Sequence, residues 1–158
     1  MAERVLVCVP ANAEQARQIA GGRTIEGPLQ AFTASPALYE TFGLQPSDDE
    51  QAEYAAMLLA GLWALIHHGE RLVLTAMVDS RTLCPGGEAA NGGASLSELE
   101  ASSVEAWFSD DDGAALDAVR AAVAGLSLDD AWEDPRVQTL HAEHDLAWHS
   151  VTELSKEA

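Results

Sequence analysis

Between residues 141 and 149 the chain reads His-Ala-Glu-His-Asp-Leu-Ala-Trp-His. Imidazoles and carboxylates this dense can hold zinc or another divalent ion through neutral ring nitrogens and carboxylate oxygens. On a helix, His141 and Asp145, His144 and Trp148, and Asp145 and His149 stand one turn apart. The candidate metal ligands are therefore His141, His144, Asp145 and His149. The first two histidines are three apart rather than four, so this is not the H-E-x-x-H of a zinc protease. With Leu140, Ala147, Val151 and Leu154 turned inward, His144 falls at the margin of that face, His141 on a flank and His149 outward. One helix then does not aim all three imidazoles at one point. A half-buried amphipathic helix is the simpler reading.

Other residues with chemical potential are scattered. His67-His68 closes an apolar run, where a helix C-terminus favours a protonated imidazole. Only the fold can say whether it approaches His144. Asp110-Asp111-Asp112 offers oxygen ligands for Mg²⁺ or Ca²⁺ but lacks the EF-hand spacing and its bidentate glutamate. Capping of the following helix, with Asp112 as cap, explains it more simply. Neither Cys8 nor Cys84 has an adjacent activating group, no G-x-S-x-G elbow occurs, and both thiols are expected to be buried and free. The stretch Pro85–Ser95, PGGEAANGGAS, has neither a P-loop nor a dinucleotide-binding spacing and no lysine nearby. It is expected to be a flexible loop, at about residues 85–95.

The elements that would position these groups are legible in outline. Arg4 to Val9 is a continuous apolar strand, Leu29 to Thr33 a second short one, Arg71 to Asp79 the strongest, and Val104 to Ser109 a fourth, expected antiparallel to the third. Asn12 with Gln15 forms a capping box for a helix over 13–20, and Ser35-Pro36 opens a brief helix stopped by Gly43. Ser47 with Glu50 is read as a second capping box. It starts the long helix SDDEQAEYAAMLLAGLWALIHHG, acidic at its head and apolar nearly all round toward Gly69. Residues 137–154 are read as a final helix, with a short strand near Leu146 to Val151 as the alternative. The chain is expected to be one α/β or α+β domain spanning 1–158. It would hold a mixed sheet of about four strands with helices packed on it and one long buried central helix.

Composition narrows the function classes. Twenty-six acids face eight basic residues, giving −18, and residues 98–158 alone carry fifteen acids against three bases, or −12. Such a field repels nucleic acids and anionic membranes and favours cations or basic partners. No apolar run approaches the roughly 20 residues a bilayer requires, and the N-terminus does not read as a secretory peptide. A cytoplasmic protein is expected.

The opening RVLVCVPA, the stretch TASPAL, the lead-in DDEQAEYAAMLLA and the closing HDLAWHSVTEL resemble a family of small acidic proteins from high-GC Gram-positive bacteria, a domain of unknown function. The resemblance touches both ends and the middle of the chain. It implies a single-domain fold and a cytosolic location, and it carries no residue roles.

The leading expectation is a non-catalytic binding or regulatory protein that engages a protein partner, a basic one fitting best, through its acidic C-terminal half. Asp110, Asp111, Asp112, Trp132 and Trp148 are the candidate contact residues, with Trp107 near them. Two alternatives stand beside it. One is a metal-binding protein or metal-dependent enzyme using the histidine and acid cluster. The other is a small-molecule-binding protein with its pocket between the long helix and the sheet.

Overall fold

A computed structural model describes residues 3–110 and 116–150. Its centre is a seven-stranded sheet, β1 (Arg4–Pro10), β2 (Ile25–Phe32), β3 (Leu72–Asp79), β4 (Leu83–Cys84), β5 (Gly93–Leu99), β6 (Val104–Ser109) and β7 (Ala147–Ser150), in the order β4-β5-β2-β1-β3-β6-β7. Every neighbouring pair is antiparallel. The expected mixed sheet of about four strands is thus overturned on both number and direction. Residues 11–24 between β1 and β2 are long enough for a parallel crossover, so loop length leaves strand direction open; pairing chose antiparallel. The two strands without a sequence signal are short or lack a clean apolar pattern: β4 has two residues and β5 is GASLSEL, whereas β7, four residues long, takes the alternative of a short strand near Leu146 to Val151.

The helices are α1 (Ala13–Ala20), α2 (Pro36–Phe42), α3 (Asp49–His68), α4 (Leu116–Val123), α5 (Leu128–Glu133) and α6 (Pro135–Glu143). The long helix α3 is the expected central one. It packs on one face of the sheet with α2, α4, α5 and α6, around Phe32, Leu38, Leu59, Leu62, Leu65 and Val73. Alternation along the strands turns Val7, Val9, Leu72, Leu74 and Trp107 to the opposite face, where Ala16 and Ile19 of α1 meet them. Truncating a fully buried leucine such as Leu59 or Leu62 to alanine would cost about 2–5 kcal/mol.

Local signals decide where these helices start and stop. Asn12 accepts from the Gln15 N–H at 2.8 Å while the Asn12 N–H donates to Gln15 Oε1 at 3.0 Å, the reciprocal box read in the sequence. Ser35 caps α2, Pro36 opens it and Gly43 ends it with φ of 64°. The box expected at Ser47 does not form. Asp48 is the N-cap of α3, and its carboxylate is turned back to accept from the Gln45 N–H at 2.8 Å. The final helix is also shorter than expected: α6 stops at Glu143, and the chain then extends into β7.

The glycine-rich segment is only partly a loop. It contains a 3-10 turn over Ala89–Asn91, and β5 begins inside it at Gly93. Gly92 has φ of 82°, and a side chain there would strike the Thr33 carbonyl and Leu38. At this position close backbone packing explains the glycine better than flexibility does. Cys84 is exposed on β4, against the expectation of burial, whereas Cys8 is buried in the core. No helix among the described residues is long and apolar enough to cross a membrane.

Candidate functional site

A cleft with convergent polar groups lies between α3 and the β3-β6-β7 end of the sheet, on the α3 face. It encloses about 650 Å³, within the size range of small-molecule sites. Its apolar walls include Met57 and Leu58 from α3, Phe108 from β6, Leu146 from the approach to β7, and Trp148 from β7. Cys8 and Thr75 form its floor. Burial, aided by Glu53, pushes the Cys8 thiol up to about 12, so it is a neutral, apolar surface. Thr75 is satisfied by donating to the Ala106 carbonyl at 3.2 Å.

Charge in this cleft has one sign. Glu53 stands on α3, Glu105 on β6 and Asp145 before β7, and no basic side chain is among the lining residues. Glu105 owes its position to a bulge. Thr75 pairs with Ala106 but Ala76 pairs with Val104, so one residue of β6 is left over. Bulges re-aim a side chain in this way and recur beside binding sites. At the mouth, the Tyr54 hydroxyl donates to Asp145 Oδ1 at 3.1 Å, joining α3 to the segment before β7. Burial and that hydrogen bond raise the Tyr54 phenol pKa. Tyr54 and Trp148 remain 50% and 62% exposed, the two large hydrophobic side chains that stand out to solvent among the described residues.

Behind this cleft is a buried ionic node. Arg71 is 1% exposed, and its Nε donates to Asp110 Oδ1 at 2.6 Å while its Nη2 donates to the His144 carbonyl at 2.9 Å. Its Nη1 and the Nε2 of His141 are buried without a hydrogen-bond partner among the described residues. Burial first, and the Arg71 charge second, hold the His141 imidazolium down to about 4. His141 is therefore a neutral imidazole at physiological pH, lying against Trp132 with ring centroids 5.1 Å apart.

The expected metal ligands are distributed over different elements. His141 is in α6, His144 caps its C-terminus, Asp145 lies in the irregular segment that follows and His149 is in β7. His149 stacks on Trp107 and its Nε2 lies 2.9 Å from Ser109 Oγ, on the α1 face of the sheet. Among the described residues no three histidine, cysteine, aspartate or glutamate side chains converge to hold a metal. The helix that would have aligned them ends before Asp145, which is the physical reason. His67 and His68 pack on Trp63, at centroid distances of 4.0 and 5.6 Å. Burial and the neighbouring His67 lower the His68 pKa.

The expected partner-contacting residues also separate. Asp110 is committed to Arg71, and Asp111 and Asp112 lie outside the described residues. Trp132 is partly buried, edge-on to Phe42 at 5.5 Å, and Trp107 is 7% exposed. Trp148 alone of the three stands out to solvent. Sequence reasoning missed Glu53, Tyr54 and Glu105. Tyr54 left a trace, as an aromatic on the polar side of the α3 pattern; the bulge at Glu105 has no glycine to announce it.

The chain belongs to the Family of unknown function (DUF6912), which matches residues 5–156. No curated protein and no solved structure matches it.

Proposed function

Within that family, we propose that this chain is a binding protein whose site is the cleft between α3 and the β3-β6-β7 end of the sheet. Its ligand is an organic cation carried on an apolar body. The observation that carries this reading is the pairing of an apolar cleft of about 650 Å³ with Glu53, Glu105 and Asp145 as its charged lining. A desolvated ammonium or guanidinium needs an opposite charge within a few ångströms. The aromatic faces of Trp148 and Phe108 add cation–π attraction, worth about 0.5–2 kcal/mol. The net charge of −18 raises the local concentration of any such cation.

Calorimetric titration with phenethylammonium and with its neutral isostere 2-phenylethanol tests the reading. The amine should bind at least tenfold tighter than the alcohol, and Glu105→Gln and Asp145→Asn should each narrow that gap. Equal affinity of amine and alcohol, or binding indifferent to both substitutions, would sink it.

The exposed Trp148 favours a second reading, in which the cation is a lysine or arginine on a partner protein. The acidic C-terminal half supports it through its −12 charge on residues 98–158. A Lys/Arg-rich amphipathic peptide that binds in a salt-sensitive way, where phenethylammonium does not, would select this reading.

A further inference from the structure

We propose that Ser109 and His149 form a second, chemically active site on the opposite face of the sheet, in which Ser109 is a nucleophile toward small esters. Strands β6 and β7 pair Trp107 with His149 and Ser109 with Ala147. Ser109 and His149 are therefore diagonal neighbours on one face, close enough for side chains to meet. Ser109 Oγ lies 2.9 Å from His149 Nε2, within the reach a nucleophile and its general base require. The imidazole is held against Trp107 with ring centroids 4.0 Å apart and planes inclined by 20°. The Trp107 indole N–H is itself anchored on the Ser150 carbonyl at 3.1 Å. A base fixed by stacking on an anchored indole loses little freedom when it takes the proton.

Ser109 and Trp107 open onto a cavity of about 390 Å³ that also contains Arg17, Arg71 and Arg120. Three of the chain's eight basic residues thus border one cavity in a protein of charge −18. Against them stand two lining acids, Glu70 and Asp110, the latter bound to Arg71. The cavity suits a small ester whose developing or permanent negative charge faces Arg17, because Arg71 is held by Asp110, and Arg120 by Asp117 at 2.8 Å and the Gly69 carbonyl at 2.6 Å. In the acyl-transfer step Ser109 Oγ bonds to the carbonyl carbon while its proton passes to His149 Nε2. The bond from that carbon to the leaving oxygen then breaks with its electron pair, and the leaving oxygen takes the proton from the imidazolium. Water repeats the sequence on the acyl-serine and releases the acid.

The test is exposure of the full chain to an alkyl fluorophosphonate, followed by peptide mass mapping. Ser109 Oγ would form the phosphorus–oxygen bond, fluoride would leave, and the hydroxyl proton would pass to His149. The expected result is a near-stoichiometric adduct on Ser109 that is absent from heat-unfolded protein and unaffected by Ser97→Ala. His149→Gln should slow labelling by about 10²-fold, the lower bound for general-base catalysis. No adduct on Ser109 after prolonged exposure, or an equal labelling rate in His149→Gln, overturns the proposal. The labelling of the unsubstituted chain reads out Ser109 whether or not a variant folds.

Discussion

Arg71 and Asp110 meet by two bonds at once: the Arg71 side-chain Nε reaches one carboxylate oxygen at 2.6 Å, and the Arg71 backbone N–H reaches the other at 3.1 Å. The register of β3 with β6 sets this up. Leu72 stands opposite Ser109, so the residue before the one strand faces the residue after the other. The pair fastens the strand ends to the base of α6, because Arg71 also holds the His144 carbonyl.

Removing one charge from that pair should be costly and asymmetric. Asp110→Asn leaves an almost fully buried guanidinium uncompensated, and a loss of about 3–5 kcal/mol is expected. Arg71→Met should cost less, because the Asp110 side chain is 11% exposed and can be hydrated. Urea unfolding of both variants checks the order; equal losses would contradict it.

His141 should make the fold acid-sensitive. Its folded pKa of about 4 lies below the unfolded value near 6.5, so the unfolded chain takes up a proton first as pH falls. Stability is complete above about pH 6.5 and declines between there and about pH 4, by roughly 3 kcal/mol in total. His141→Leu should flatten that part of the curve relative to the parent chain. Parallel pH profiles of the two would show otherwise if the premise is wrong.

The two cysteines should react very differently. Cys84 is exposed, while Cys8 is buried with its thiol pushed up to about 12. Only the thiolate reacts, so a colorimetric disulfide reagent should titrate one thiol in the native protein and two in denaturant. Two fast thiols in the native protein would mean that the strand carrying Cys8 opens readily.

Two glycines with positive φ should differ in their response to alanine. Gly43, with φ of 64°, has open space where a side chain would go, so Gly43→Ala should cost only the left-handed strain of about 1–2 kcal/mol. At Gly92 the same strain is joined by collision with the Thr33 carbonyl and with Leu38 Cδ1 at 2.8 Å. Gly92→Ala should therefore be the more destabilising in thermal melts.

Trp148 should matter for binding and little for folding. At 62% exposure its truncation to alanine is expected to change stability by less than about 1 kcal/mol. In the same variant, phenethylammonium affinity should drop several-fold. Unchanged affinity would place the cation elsewhere.

Much of the framework could be read from local chemistry. The Asn12–Gln15 box, the Ser35-Pro36 start, the apolar run of β1 and the long α3 ending at Gly69 all depend on neighbours within a few residues. The final segment left two readings open, a helix and a short strand near Leu146 to Val151, and local chemistry did not choose between them. Its histidine spacing suits a helix, yet four residues of it pair with β6 as β7, and that partner lies some forty residues earlier in the chain. This one pairing separates His149 from His141 and sets it beside Ser109 and Trp107.

By itself, then, the sequence determined the acidic field, the caps of α1 and α2 and the central buried helix, because charge, capping and periodicity are properties of a short stretch of chain. The tertiary structure alone decided that the sheet is seven-stranded and antiparallel. It also decided that Glu53, Glu105 and Asp145 share one apolar cleft and that Arg71 is buried on Asp110. Strand order, register and a bulge are set by contacts between residues far apart in the chain, so no local pattern records them.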